Sequence, residues 1–185
     1  MATWVIGDVH GCANTLDALL AALPRSSSDD RLVFVGDVVN RGLHSAAVLD
    51  TIERLGASAT VVLGNHEVHL LTRAFRLADA RRGDTLDDVL RAPWCGDWVD
   101  RLREAPLLAL AGDAGIVHAG LAPWWSDADA IARAADVRTA LRGPSCEAVL
   151  RANIAAAAPA HRPGSDRPRD DAALLPEDLA SWHDY

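Results

Sequence analysis

Short apolar runs alternate with amphipathic stretches along the first two thirds of the chain. Strand-like runs fall at Thr3–Ile6, 32–35 and 59–63, each rich in β-branched residues. Helical spacing follows each run, at about 13–23, 45–55 and 67–80, with Asn14 or Ser45 available to help cap. A β-α-β-α-β order of this kind predicts largely parallel strands in an α/β layer architecture.

The pattern then changes. Residues 81–105 are helical in character, with Trp94 and Trp98 at a spacing that puts both rings on one helix face. Packing between a helical insertion and the main body is the plainer explanation of that pair. A lid carrying an aromatic platform for a nucleobase is the sharper one. Residues 107–111 and 115–118 predict a hairpin turning at Gly112-Asp113-Ala114, and two helices are expected at about 127–141 and 146–157. Beyond them the periodicity ends. Residues 159–176 hold four prolines, a glycine and many charges, which predicts an irregular tail over 159–185 after a domain spanning 1–158.

Composition narrows the possible functions. The net charge of −8 argues against broad nucleic-acid binding, yet leaves room for a phosphate ligand if bound cations reverse the local field. There is no lysine, so every fixed side-chain cation is an arginine. No apolar run is long enough for a membrane helix, and the N-terminus has no basic leader region. Three scattered cysteines have no metal-ligand spacing, which makes a cytoplasmic setting the default.

Chemistry concentrates in four blocks, each just after an apolar run: Gly7-Asp8-Val9-His10-Gly11, Gly36-Asp37-Val38-Val39-Asn40-Arg41-Gly42, Gly64-Asn65-His66-Glu67 and His118-Ala119-Gly120. Strand ends of this kind gather ligands from distant sequence at one edge of a sheet. Carboxylates suit hard divalent ions, and imidazoles suit zinc, iron, manganese or nickel. Asp37 is placed to bridge two ions, which at roughly 3.5–4 Å apart activate a hydroxide and clamp an in-line displacement. Arg41 offers a planar fork to phosphate. His66 is placed to protonate a leaving oxygen. Singly, each residue has a commoner role: a turn for Asp8 or Asn65, packing for His10 or His118, solvation for Arg41. The set, in order and at similar strand ends, favours the metal site. His44 could touch a substrate phosphate but more readily suits a surface loop. His69 suits packing or support near the site, and Glu67 favours its helix N-terminus electrostatically.

At these blocks the chain resembles the calcineurin-like metallophosphoesterases, in particular the branch of bacterial symmetrical diadenosine tetraphosphate hydrolases. Residues 1–12, 63–71 and 118–124 carry the resemblance most closely, and it extends over about residues 1–158. It implies a helix–sheet–sheet–helix layered fold and two divalent ions (manganese, cobalt, iron, zinc or nickel). Asp8, His10 and Asp37 would hold one ion, and Asp37, Asn65 and His118 the other. His66 would be the leaving-group acid and Arg41 a phosphate clamp. Asn40 stands where protein phosphatases carry an aspartate that pairs with the catalytic histidine. The implied reaction cuts diadenosine tetraphosphate into two ADP by attack of an activated hydroxide.

The family pattern continues past residue 185 with further strands, a histidine ligand in a Gly-His context and a second arginine. No Gly-His dipeptide occurs here, and His161 and His183 are the remaining candidates for that ligand. A shortened sheet would leave apolar faces or strand edges for an oligomer, a partner chain or the tail to cover. Two alternatives stay open at this point. One is a less selective phosphatase of phosphomonoesters or phosphoproteins. The other is a weakly active or inactive remnant that binds metal or nucleotide.

Overall fold

The computed structural model describes residues 2–24 and 30–157. The expected tail, with His161 and His183, lies outside the described residues. Three parallel strands, β1 (Thr3–Ile6), β2 (Arg31–Phe34) and β3 (Ala59–Val61), form one sheet in sequence order. Helices α1 (Ala13–Ala22) and α2 (Ser45–Leu55) make the crossovers. Register pairs Val5 with Val33 and Val33 with Thr60.

Alternation along the strands sorts their two faces. Leu32 and Phe34 are fully buried in the main core with Ile6, joined by α-helical residues such as Leu49, Ile52, Leu71 and Leu141. Val33 points the other way and packs with Val62 and Ile116. Ile116 belongs to an antiparallel hairpin of β4 (Leu108–Ala111) and β5 (Ala114–Val117), the second sheet. A mixed core of this kind sits between helices and the parallel sheet, with the hairpin on the opposite face.

The other described elements are a short 3₁₀ helix (Gly56–Ser58) and the helices α3 (Asn65–Ala74), α4 (Asp87–Leu90), α5 (Cys95–Glu104), α6 (Asp127–Arg142) and α7 (Cys146–Ala157). No described helix is long and apolar enough to cross a membrane.

Boundaries differ from expectation at several turns and helix ends. α3 starts at Asn65 and stops at Ala74, short of the expected 67–80. Arg76 turns left-handed (φ 59°) and Leu77 N–H bonds the Thr72 carbonyl at 2.8 Å, closing the helix without a glycine signal. Neither Asn14 nor Ser45 caps its helix: the N-caps are Cys12 and His44. The Ser45 hydroxyl instead accepts the Asn40 N–H at 2.9 Å. The hairpin turns on Gly112 and Asp113, with Ala114 already in β5.

Candidate metal centre

The chain folds so that the ends of three parallel strands meet the end of the hairpin. Asp8 and His10 follow β1, Asp37 follows β2, Asn65 and His66 open α3 just after β3, and His118 follows β5. The first two loops are laced together by main-chain bonds. Val9 and His10 donate to the Asp37 carbonyl at 3.1 and 2.8 Å, and Gly42 donates to the His10 carbonyl at 2.8 Å. Close approach around the site leaves no room for a Cβ at several glycines, Gly42 and Gly64 most severely. One at Gly64 would collide with the Asp37 carboxylate and lie 2.6 Å from its backbone nitrogen; one at Gly42 would collide with the His10 carbonyl.

Strain collects here. His10 (φ 49°), Asp37 (51°), Asn40 (72°) and Arg41 (66°) are four of the five non-glycine residues with positive φ among the described residues. Each costs about 1–3 kcal/mol, and such residues gather where surrounding bonds over-determine the backbone.

Asp37 is the centre of the arrangement. Its side chain is only 6% exposed, and three imidazoles surround it. His118 Nε2 lies 3.4 Å from its Oδ1; His66 and His10 Nε2 lie 3.8 and 3.9 Å from its Oδ2. Asp8 Oδ2 is 3.4 Å from His10 Nε2. Two donor groups form, Asp8–Asp37–His118 and His10–Asp37–His66, each with its ligand atoms within 4.8 Å of one another. In these groups His66 falls beside His10 and His118 beside Asp8, and Asp8 also lies against His10 at 3.4 Å. Asp37 is shared in both.

These donors fit divalent ions on their own geometry. His118 Nδ1 lies 2.8 Å from the Val35 carbonyl, so that nitrogen donates there and Nε2, 3.4 Å from Asp37 Oδ1, is the one available to an ion. The Asn65 amide sits 3.0 Å from His118 Nε2 and 3.1 Å from Asp37 Oδ2. Turned one way, its nitrogen donates to both; turned the other, its oxygen joins them as a third donor to a cation. Carboxylate, amide and imidazole together suit manganese, iron, cobalt, nickel or zinc.

His66 is 7% exposed and stands edge-on to His10, with ring centroids 4.8 Å apart. Burial lowers its pKa; Asp37 opposes that, while His10 and the Arg41 guanidinium add to it. Arg41 is therefore within electrostatic reach of His66, although its own residue is exposed.

Three supporting acids carry more than the sequence indicates. Glu67 is fully buried and accepts N–H groups from Asp37 (2.7 Å), Val38 (2.9 Å), Val39 (3.3 Å) and Gly64 (3.0 Å). Burial and the nearby Asp37 charge push its pKa up to about 7 against the pull of those bonds. Asp84 and Asp88, both before α5, brace the loop after β2. Asp84 accepts from Asn40, and Asp88 accepts the Ala46 N–H at 2.8 Å, capping α2 from outside. Acidic residues at unremarkable positions gave no periodic or spacing signal for these roles. Glu67 alone had a hint, since it shares the Asn65 block.

Other sequence candidates are not members of the two donor groups. Trp98 is 5% exposed in the main core, with the Arg101 guanidinium 4.8 Å over its ring. A nucleobase needs an open ring face, so packing explains Trp98. Trp94 is half-buried against the same core. His44 is exposed, and its backbone N–H bonds the Gly11 carbonyl at 3.2 Å.

Comparison with known proteins identifies the family. The family model for calcineurin-like phosphoesterases matches residues 1–156. A protein of Chromohalobacter salexigens, named "Bis(5'-nucleosyl)-tetraphosphatase, symmetrical", is 46% identical over 77% of this chain and 53% of its own. A protein of the same name from Janthinobacterium sp. is 42% identical over 82% of this chain and 55% of its own. The chain thus spans about half the length of the curated relatives it matches. The solved structure "Crystal structure of a putative diadenosine tetraphosphatase" superposes with a TM-score of 0.56 at 33% identity, over 68% of this chain and 53% of that one. With the family model covering most of its length and the donors converging on one aspartate, the chain belongs to the calcineurin-like phosphoesterase family.

Proposed function

We propose that this chain carries the catalytic centre of a metal-dependent phosphoric-anhydride hydrolase that cuts diadenosine tetraphosphate symmetrically into two ADP. The observation that carries the reading is Asp37, a buried carboxylate shared by two donor groups. The names of the relatives supply the substrate.

Asp8, His10, Asp37, Asn65 and His118 would hold two divalent ions. Bound there, such ions supply a nucleophilic water at neutral pH and offset phosphate charge. The remaining steps fall to the chain's own side chains. Arg41 contacts a phosphate through its planar fork. His66 donates an N–H hydrogen bond to the leaving oxygen. A phosphate leaving group is weakly basic, so a largely neutral imidazole is adequate. Asn40, bonded to Asp84 and Thr85, is engaged away from His66, which supports setting aside a protein-phosphatase pairing at that position. A cytoplasmic setting is part of the same proposal, since the substrate is a nucleotide.

Product analysis tests the reading. Incubation with diadenosine tetraphosphate and Mn²⁺ or Co²⁺, resolved by ion-exchange chromatography, is expected to yield ADP alone. ATP with AMP contradicts symmetric cleavage. No hydrolysis by folded, metal-loaded protein contradicts the enzymatic reading.

A further inference from the structure

Asn40 and Arg41 are consecutive left-handed residues, and arginine has no intrinsic preference for that region. Something outside the loop must hold them. Asn40 is 2% exposed, and its side chain is bonded at both ends. Its Oδ1 accepts the N–H of Arg41 at 2.9 Å, the N–H of Thr85 at 2.9 Å and the Thr85 hydroxyl at 3.3 Å. Its Nδ2 donates to Asp84 Oδ1 at 3.1 Å. The direction of the amide is thereby set: reversed, its NH₂ would face two N–H donors and its oxygen a carboxylate.

Asp84 is itself held firmly. Its second oxygen lies 2.7 Å from His69 Nε2 and accepts from Arg73 Nη1 at 3.0 Å and from the Arg81 N–H at 2.8 Å. The chain of contacts therefore runs from α3, through Asp84 in the segment before α4, to Asn40 and on to the Arg41 backbone. Burial raises the Asp84 pKa, but the bonds from His69, Arg81 and Asn40 outweigh it and hold the carboxyl well below its ordinary range. It stays an acceptor across the neutral range.

We propose that Asp84 is a positioning residue for phosphate: by orienting the Asn40 amide it fixes the left-handed backbone of Arg41 and so aims the guanidinium. The inference rests on reading Arg41 as the phosphate contact. It makes the segment before α4 a determinant of phosphate affinity without any contact to phosphate.

Two readouts on the full chain test it: amide hydrogen exchange, and binding of inorganic phosphate to Mn²⁺-loaded protein. In Asp84→Ala, the Arg41 and Thr85 amides should exchange at least about tenfold faster, while the Val9 and His10 amides keep their protection. Phosphate affinity should fall about tenfold, as for a lost charge-assisted contact, with Mn²⁺ affinity within about twofold. Asn40→Ala, which leaves Asp84 with His69 and Arg73, should show the same two losses should Asp84→Ala fail to fold. Asp84→Asn, which keeps an acceptor for the Asn40 amide, should restore most of both. In an Arg41→Ala background, Asp84→Ala should cost no further phosphate affinity. Unchanged exchange at Arg41, an undiminished loss in that background, or a parallel fall in Mn²⁺ affinity overturns the proposal. A metal-loaded parent that binds no phosphate overturns the functional reading and this proposal with it, and that failure is visible before any substitution.

Discussion

At Glu67 a carboxylate with no exposed surface accepts N–H groups from Asp37, Val38, Val39 and Gly64. A buried charge persists only where such bonds replace water. Those bonds also keep Asp37 at φ 51° and present its carboxylate to the three histidines. Removing the acceptor leaves buried N–H groups orphaned at about 1–3 kcal/mol each. Glu67→Ala is therefore expected to lose about 3 kcal/mol or more in urea unfolding, and to weaken Mn²⁺ binding in calorimetry by at least about tenfold. Wild-type metal affinity in a folded Glu67→Ala protein would remove Glu67 from this role. Gly64→Ala should damage the same geometry by direct collision with Asp37, seen as lowered melting temperature together with lost metal binding.

At the level of elements, the segment from Arg81 to Leu90 is a brace for the loop after β2. Asp88 supplies the N-terminal acceptor that α2 lacks from its own N-cap, His44. Asp88→Ala should cost about 1 kcal/mol, the usual value of a lost cap, in denaturant unfolding. Asp84 adds a pH dependence of definite sign. Its folded pKa lies below its unfolded value, so its stabilisation is fully present above about pH 4 and is lost as pH falls further. Asp84→Asn should flatten the decline in urea midpoint below about pH 4, and an unchanged slope would contradict the ion-pair account. The hydrophobic pattern was sufficient for the extents of β1, α2 and α7, whose bounds match the expected runs. It was insufficient for the end of α3, where Arg76 does the work of a glycine, and for the contacts of Asp84 with Asn40 and of Asp88 with Ala46, which span 44 and 42 residues of sequence.

For the whole molecule, strand alternation separates a large core under the helices from a small one under the hairpin. The candidate site sits where the two sheets end together, which is why residues as distant as Asp8 and His118 share one aspartate. The ligand types were legible in sequence because each follows a strand. Their mutual distances were not, because these depend on how the hairpin docks His118 against Asp37 and how α3 carries His66 toward His10. The most direct test of the central claim is a count of bound ions. Manganese titration of the chain, followed by calorimetry and electron paramagnetic resonance, should give two ions per chain with a spin-coupled spectrum, and Asp37→Ala should lose both. A single uncoupled ion in the parent, or an ion retained at full affinity by Asp37→Ala, would contradict a centre built around a shared Asp37.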